Sequence, residues 1–435
     1  MVLERNVLIW YILTIIILYI LQGVITGFGA SIPIYLRFYK ASWQEQGTYS
    51  WVSYPFSFKI LWAPIIDSVY SRRFGRNQTW LIPIQLLIGS QDIVVDGWSV
   101  ALFTTLNPQL SSTCQTVGVT IGGFIGSIIL LTLESSNFTN TYIREPLSLP
   151  RRSYGLFSLE QFTLFWGIIF IVIGVIMTII LIFKQQSNKI NNLHIEEKKH
   201  TKFKIFETYL NVLQLFKKRC MQQLILILIT GTVSYGATYS MTNLTLLEYG
   251  VKRETLGLLR IPLVVVDILV PLCLNRIRSP LGWFARGYIL RLISSVILAI
   301  YIFFTPRILH TSYFYPILII LLCLNEAFIY IMVSSGIGFY ARISDPRIAG
   351  TYMTLLVSVG NLGLKLSSTL ALYIANWLPK THAYSIEVGA CFILGCIWIK
   401  MAWNILKHLD ALPVEEWYLT PSKPIHCYLE QEEEE

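Results

Sequence analysis

The stretch Leu86–Phe103, LLIGSQDIVVDGWSVALF, is apolar enough to enter a membrane, yet it carries two aspartates four residues apart, Asp92 and Asp96. A charged side chain at the centre of a membrane helix costs about 2.5–3.5 kcal/mol on insertion scales. How this stretch meets the bilayer therefore decides the topology around it.

The surrounding composition is that of a polytopic membrane protein. The 435 residues are 54% hydrophobic and only 14% charged, with a mean hydropathy of +0.57; soluble globular chains carry roughly 25% charged residues. About 20 apolar residues make one helical span. Candidate runs lie near residues 7–35, 49–66, 80–106, 113–133, 161–183, 221–247, 255–274, 284–304, 313–338, 350–376 and 386–406, eleven in all. The first run is too long for a signal-peptide core and no convincing small-residue cleavage site follows it, so it reads as an uncleaved span.

The connection Lys184–Arg219 holds nine Lys/Arg against Glu196, Glu197 and Glu207, a net charge of +6. Basic connections stay cytoplasmic. Six spans follow it, and alternate connections carry Arg276 and Arg278, Arg342 and Arg347, and Lys407, as the rule requires. The first half does not close in this way. The connection DSVYSRRFGRNQ, with Arg72, Arg73 and Arg76, should also be cytoplasmic, so an even number of spans must separate it from the basic linker. Three runs lie between. The suspect is 80–106, whose 27 residues extend about 40 Å as helix, enough for one crossing but not for a hairpin. It either dips in and returns, or fuses two half-helices at a seam near Gly89–Ser90.

The net charge of +9 follows the ends of apolar runs, and no nucleic-acid motif accompanies it. The seven cysteines are scattered without a CxxC pair, and the six histidines fall in polar connections or the tail, so neither a disulfide framework, a metal site nor a membrane-embedded histidine catalyst is expected. No P-loop, nucleophile elbow or dinucleotide fingerprint occurs. Gly118, Gly122 and Gly126 form a stripe at four-residue spacing, as do Gly23 and Gly27. Such stripes let helix backbones approach closely; helix packing is the plainer reading, direct ligand contact the other. Lys59, Arg260, Arg291 and Lys365 lie within apolar runs, against Asp92, Asp96, Asp267 and Glu326. Each is either half of an internal ion pair or part of the lining of a watery cavity, and Lys59 and Arg291 are the deepest of the cations. Of three sequons, Asn137 falls in a connection expected outside the cytoplasm, where glycosylation is expected to be feasible; Asn243 lies too close to the bilayer, and Asn77 on the cytoplasmic side.

The blocks LQGVITGFGASIPIYL, YPFSFKILWAPIIDSVYSRRFGRNQTWLIPIQ, QDIVVDGW, SSTCQTVGVTIGGFIGS and RISDPRIAGTYMTLLVSVGNLG resemble the acetyl-coenzyme A transporter family of the endoplasmic reticulum membrane. The resemblance runs from the first span to about residue 376. It implies an all-α polytopic membrane protein, a major-facilitator-like two-half helical bundle with about 11 apparent spans where the family has 12. Parts of spans 3 and 4 are missing and fused, because the block that opens the third span here runs directly into QDIVVDGW, which closes the fourth. Arg260 and Lys365 depart from the family pattern.

The expected organisation is an N-terminal transmembrane half, 1–183, shortened; a basic cytoplasmic linker, 184–220; a C-terminal six-helix half, 221–406; and an acidic cytoplasmic tail, 407–435. The resemblance implies a multi-pass endoplasmic reticulum protein, not an enzyme, that moves acetyl-CoA from cytosol to lumen by alternating access and needs no cofactor. Its partners are the lipid bilayer and acetyl-CoA as transported solute, with no nucleic acid and a homodimer left open. A solute with about four negative charges calls for cations, and Lys59, Arg291 and Asn361 are the expected substrate-binding residues. Asp67, Arg76, Asp92, Asp96 and Asp345 are the expected gating residues; Asp92 and Asp96 share a helix face, repel each other and want a cation such as Arg72, Arg73 or Arg76. A helix-end cap is the plainer role for that pair. A membrane-bound acyltransferase using acyl-CoA and an inactive shortened transporter are the alternatives.

Overall fold

The computed structural model describes residues 5–58, 108–190, 213–273, 279–344, 349–379 and 381–418. Every regular element among them is helical. A backbone in hydrocarbon has no water to bond, so each peptide group must find its partner within its own helix.

The long elements are α1 (Arg5–Phe38), α2 (Trp43–Ser50), α3 (Pro108–Gly123), α4 (Leu159–Ile190), α5 (Arg219–Thr230), α6 (Gly236–Glu248), α7 (Arg253–Cys273), α8 (Pro280–Phe303), α9 (Phe314–Ile343), α10 (Ala349–Ala375) and α11 (Ala383–Ala411). Helix α3 continues through a π turn, Phe124–Ile129, into Leu130–Leu133. A 3₁₀ turn, Gly231–Tyr235, joins α5 to α6 into one span. Among the described residues seven helices are long and apolar enough to cross a membrane, and the pair Val117–Leu133 and Ser136–Arg144, bent by 78°, makes an eighth. Helix α7 occupies the expected run 255–274 but carries Arg260, Asp267, Pro262 and Pro271. Most of the expected runs 49–66 and 80–106, with the Gly89–Ser90 seam, lies outside the described residues.

The ends of α4 and the start of α5 flank the basic linker and define a linker end of the bundle. Phe38, Leu133, Glu248 and Arg253 meet at the opposite, far end.

Between membrane helices there is little hydrophobic drive, and close van der Waals packing of small residues takes its place. The glycine stripes do this directly. A Cβ on Gly122 would stand 2.1 Å from the Ile20 carbonyl oxygen, and one on Gly126 would stand 2.1 Å from that of Val24. From the other side, a Cβ on Gly23 would reach the Val119 oxygen at 2.4 Å and one on Gly27 the Gly123 oxygen at 2.5 Å. So α1 and α3 touch backbone to backbone, and the packing reading of these glycines holds. The second half repeats the arrangement between α5–α6 and α10. There a Cβ on Gly236 would stand 2.4 Å from the Ser367 oxygen, and one on Gly363 2.8 Å from the Leu228 oxygen. On a twelve-span count these are the first and fifth spans of each half, the correspondence a two-half bundle requires.

The halves meet along three lines: α1 against α6, the end of α3 against α7, and α2 with Tyr54–Ser57 against α10. One apolar cluster joins both halves near the far end, including Leu130, Leu131, Leu244, Leu256 and Phe314. Another, built around Met221, Phe339, Tyr352, Leu406 and the fully buried Trp417, belongs to the second half at the linker end. Helix α4 leaves Leu164, Phe165, Ile168, Ile171 and Val175 exposed, a face suited to lipid tails.

Candidate functional site

Arg291 sits midway along α8, and its side chain is 4% exposed. Its guanidinium lies over the Tyr235 ring, 3.7 Å from the centroid. Tyr235 closes the 3₁₀ turn and has left the helical backbone region, with φ −137° and ψ 17°; the break in the span therefore presents this ring to Arg291. Tyr288, one turn before Arg291, bonds Ser234 in the same turn and stacks near Trp398. On the next turn Ser294 donates to Asn325 of α9 at 3.2 Å, which places Glu326 beside the Arg291 helix. Among the described residues no carboxylate lies within 4.0 Å of Arg291, and its buried Nε has no partner. A cation–π contact of this kind is worth about 2 kcal/mol when desolvated, well short of replacing the water a buried guanidinium gives up.

Two further polar groups come from α10. Lys365 points its ammonium over Tyr239, 5.9 Å from the ring centroid, and Asn361 is half-buried one turn earlier. Tyr239 is 51% exposed. On α7 Asp267 is 9% exposed and its Oδ1 is unpartnered. The second half thus carries Arg291, Lys365, Asp267 and Glu326 on four different helices, with Arg260 on the same helix as Asp267.

The far end is built differently, from ion pairs that cross between halves. Arg37, in the last turn of α1, reaches Glu248, the last residue of α6, at 2.6 Å. It also donates to the Ala41 carbonyl at 2.9 Å and lies 4.2 Å over Trp43. Trp43 is held there because Ser42 and Glu45 form a reciprocal cap on α2, Ser42 N–H to Glu45 at 2.6 Å and Glu45 N–H to Ser42 Oγ at 3.2 Å. In the opposite sense, Arg253 at the start of α7 reaches Glu134, just past Leu133, at 2.5 Å. The Tyr35 hydroxyl donates to the same carboxylate at 3.3 Å. Burial pushes the Glu134 carboxyl above its ordinary range, and Arg253 and Tyr35 hold it back. A cavity of about 760 Å³ lies over these pairs, lined among others by Arg37, Lys40, Glu248, Lys252, Arg253 and Asn137. The Asn137 amide donates to Glu254 at 3.4 Å, and Thr139 of its sequon is fully buried; the sequon faces this cavity.

Of the residues expected from sequence to bind solute, Arg291 and Asn361 stand on neighbouring parts of the second half, while Lys59 lies outside the described residues. The expected gating residues Asp67, Arg76, Asp92, Asp96 and Asp345 lie outside them as well. The far-end pairs escaped the sequence reading because each partner sits at a helix end, where a charge looks merely interfacial. In each pair one half offers the arginine and the other the glutamate.

Comparison with known proteins places the chain. It is 31% identical to an uncharacterized protein of Schizosaccharomyces pombe over 479 aligned positions, covering 93% of this chain and 88% of that one. It is 26% identical to an uncharacterized membrane protein of Saccharomyces cerevisiae over 555 positions, covering 93% and 96%. Both alignments are longer than this chain's 435 residues, so the relatives carry residues without counterpart here. Among solved structures, that of a D-xylose-proton symporter superposes with a TM-score of 0.40 and 12% identity, covering 94% of this chain and 89% of that one. The family model described as Acetyl-coenzyme A transporter 1 matches residues 10–90, 86–280 and 275–392. Its first two matches overlap at 86–90 and its second and third at 275–280. Matched from residue 10 to residue 392, this multi-pass membrane protein belongs to the acetyl-coenzyme A transporter family.

Proposed function

We propose that the protein carries acetyl-CoA from the cytosol into the endoplasmic reticulum lumen by alternating access of its two halves, supplying lumenal acetylation. Membership in the family is the observation that carries this reading. The arrangement at mid-depth supports it. Arg291 is a buried cation with no carboxylate within ion-pairing distance among the described residues, which suits a site whose anion arrives with the solute. Lys365 and Asn361 offer a second cation and an amide one helix away, and Tyr239 offers a ring face to an adenine. Two cations from one half fit a polyphosphate better than a neutral solute, since charge-assisted bonds to phosphate are about twice as strong as neutral ones.

The test is uptake by the purified protein in liposomes, followed with acetyl-CoA labelled in both the acetyl group and the nucleotide. Accumulation of both labels in step supports transport. Release of free CoA without accumulation identifies a membrane-bound acyltransferase instead. Arg291→Gln should retain the fold and lower uptake about tenfold or more, the equivalent of one charged hydrogen bond.

A second reading follows from the expected seam at Gly89–Ser90 and the longer alignments with the relatives: this chain is a shortened form that does not transport. It predicts no uptake by the chain as it stands, and uptake restored when the relatives' additional residues are placed between Gly89 and Ser90.

A further inference from the structure

We propose that the far end of the bundle is a gate latched by two antiparallel ion pairs, Arg37–Glu248 and Glu134–Arg253, and that the structure captures it shut. The inference rests on the transporter reading for its purpose but not for its test.

Four observations carry it. The first is where the pairs lie. Each joins one half to the other, α1 to α6 and the end of α3 to α7, so any motion that parts the halves at this end must break both. The second is their polarity. One half contributes the arginine to one pair and the glutamate to the other, so neither half alone accumulates repulsive charge when the pairs separate. The third is burial. The side chains of Arg37, Arg253 and Glu134 are only 12%, 11% and 18% exposed, so a lone partner left in the closed state would be a poorly solvated charge. Glu248, at 30%, is the most exposed. The pairs are incomplete as well: the buried Nη1 of Arg253 has no partner, so the latch is not so strong that it cannot release. The fourth is the space around them. The cavity of about 760 Å³ over the pairs shows that packing alone does not seal this end; the ion pairs bridge across it. Beneath them Leu131 and Leu256 belong to the apolar cluster shared by both halves, and Leu131 lies 3.3 Å from where a Cβ on Gly257 would stand. Tyr35 and Phe38 lie against the Arg253 guanidinium, 5.2 and 4.6 Å from the ring centroids. They would keep that cation covered while shut and release it to water on opening.

Leu256, 7% exposed and one turn below Arg253, reports on this gate. Leu256→Cys is introduced after the native cysteines are replaced, and the full-length protein is reconstituted with its far end outward. It is then treated with a membrane-impermeant maleimide. With both pairs intact, labelling is slow. Arg37→Glu and Arg253→Gln should each raise the labelling rate several-fold, and Arg37→Glu combined with Glu248→Arg should bring it back toward the unsubstituted rate. Thermal melting of each variant in detergent, unchanged from the unsubstituted protein, separates a latch from misfolding, and the recovery shows that the pair itself is the contact. Unchanged labelling in both single variants overturns the proposal. So does raised labelling that the charge exchange fails to reverse. No solute is needed for the measurement, so it stands whether or not acetyl-CoA is the cargo.

Discussion

Gly122→Ala isolates the contact on which the first half is built. The added Cβ would stand 2.1 Å from the Ile20 carbonyl oxygen, 2.7 Å from the Gly23 Cα and 2.7 Å from the Val24 nitrogen. All three neighbours are backbone, so no rotamer change can relieve the clash, and α1 and α3 must separate along the seam. Overpacking of a tight core costs roughly 1–3 kcal/mol. With three backbone atoms obstructing at once, the cost should fall near the top of that range, ~3 kcal/mol, with further loss as Gly118 and Gly126 are pulled from their own partners. The gain in helix propensity of alanine over glycine, about 1 kcal/mol, offsets only part of it. Gly167→Ala is the control, because a Cβ there meets nothing within 4 Å and the helix gains propensity without a clash. Thermal unfolding in detergent, followed by size-exclusion fluorescence, should show Gly122→Ala melting several degrees lower and Gly167→Ala unchanged or slightly higher. If Gly122→Ala melts with the unsubstituted protein, backbone contact does not hold α1 to α3 and the packing argument fails.

Three further outcomes follow from the geometry. Ser42→Ala removes the oxygen that accepts the Glu45 N–H and should cost about 1 kcal/mol at the start of α2, visible as faster amide exchange across Trp43–Ser50. The Ser42 backbone N–H holds the Glu45 carboxyl below its ordinary value, so in the unsubstituted protein the Glu45 contribution is full above the ordinary carboxylate range. It is lost as pH falls through the lowered value, and α2 exchange should rise there. In Arg253→Gln, Glu134 keeps its burial and loses its cation, so its carboxyl moves further up in the closed state. Closure is then present below the ordinary carboxylate range and lost as pH rises through the raised value, and labelling of Leu256→Cys should increase with pH. Gly155→Ala would place a Cβ 2.4 Å from the Leu133 and Glu134 carbonyl oxygens. It should displace Glu134 from Arg253 and speed the same labelling.

Much of the fold was legible because lipid imposes a simple grammar. Apolar runs of about twenty residues and glycines at four-residue spacing gave the long spans and the α1–α3 contact, since each depends on composition over a whole helix. Parity singled out the run 80–106, within which Gly89–Ser90 is the expected seam, and that run lies outside the described residues. The candidate site was less legible. Arg291 stood out as a charge deep in an apolar run, but nothing in its neighbourhood in sequence announces Tyr235, which comes from a helix some fifty residues away and faces it only because a 3₁₀ turn interrupts the span. Lys365 looked like an anomaly of the pattern and lies with its ammonium 5.9 Å from the Tyr239 ring centroid. Arg37, Glu134, Glu248 and Arg253 were passed over for a physical reason: their meaning lies in pairing across halves, and pairing is a property of three-dimensional arrangement that spacing along a chain does not encode.

The π turn at Phe124–Ile129 has a consequence for how the glycine stripe stays in register. On a helix of 3.6 residues per turn, positions four apart do not superpose; each step advances about 40° around the axis, so Gly118, Gly122 and Gly126 would drift off the α1 face. A turn closed over five residues rather than four holds more residues per revolution and slows that rotation just where the third glycine comes. The irregular turn works as a phase correction, keeping one straight line of contact where a regular helix would have to coil about its neighbour. Two helices that need not coil about each other can also slide along that line without unwinding.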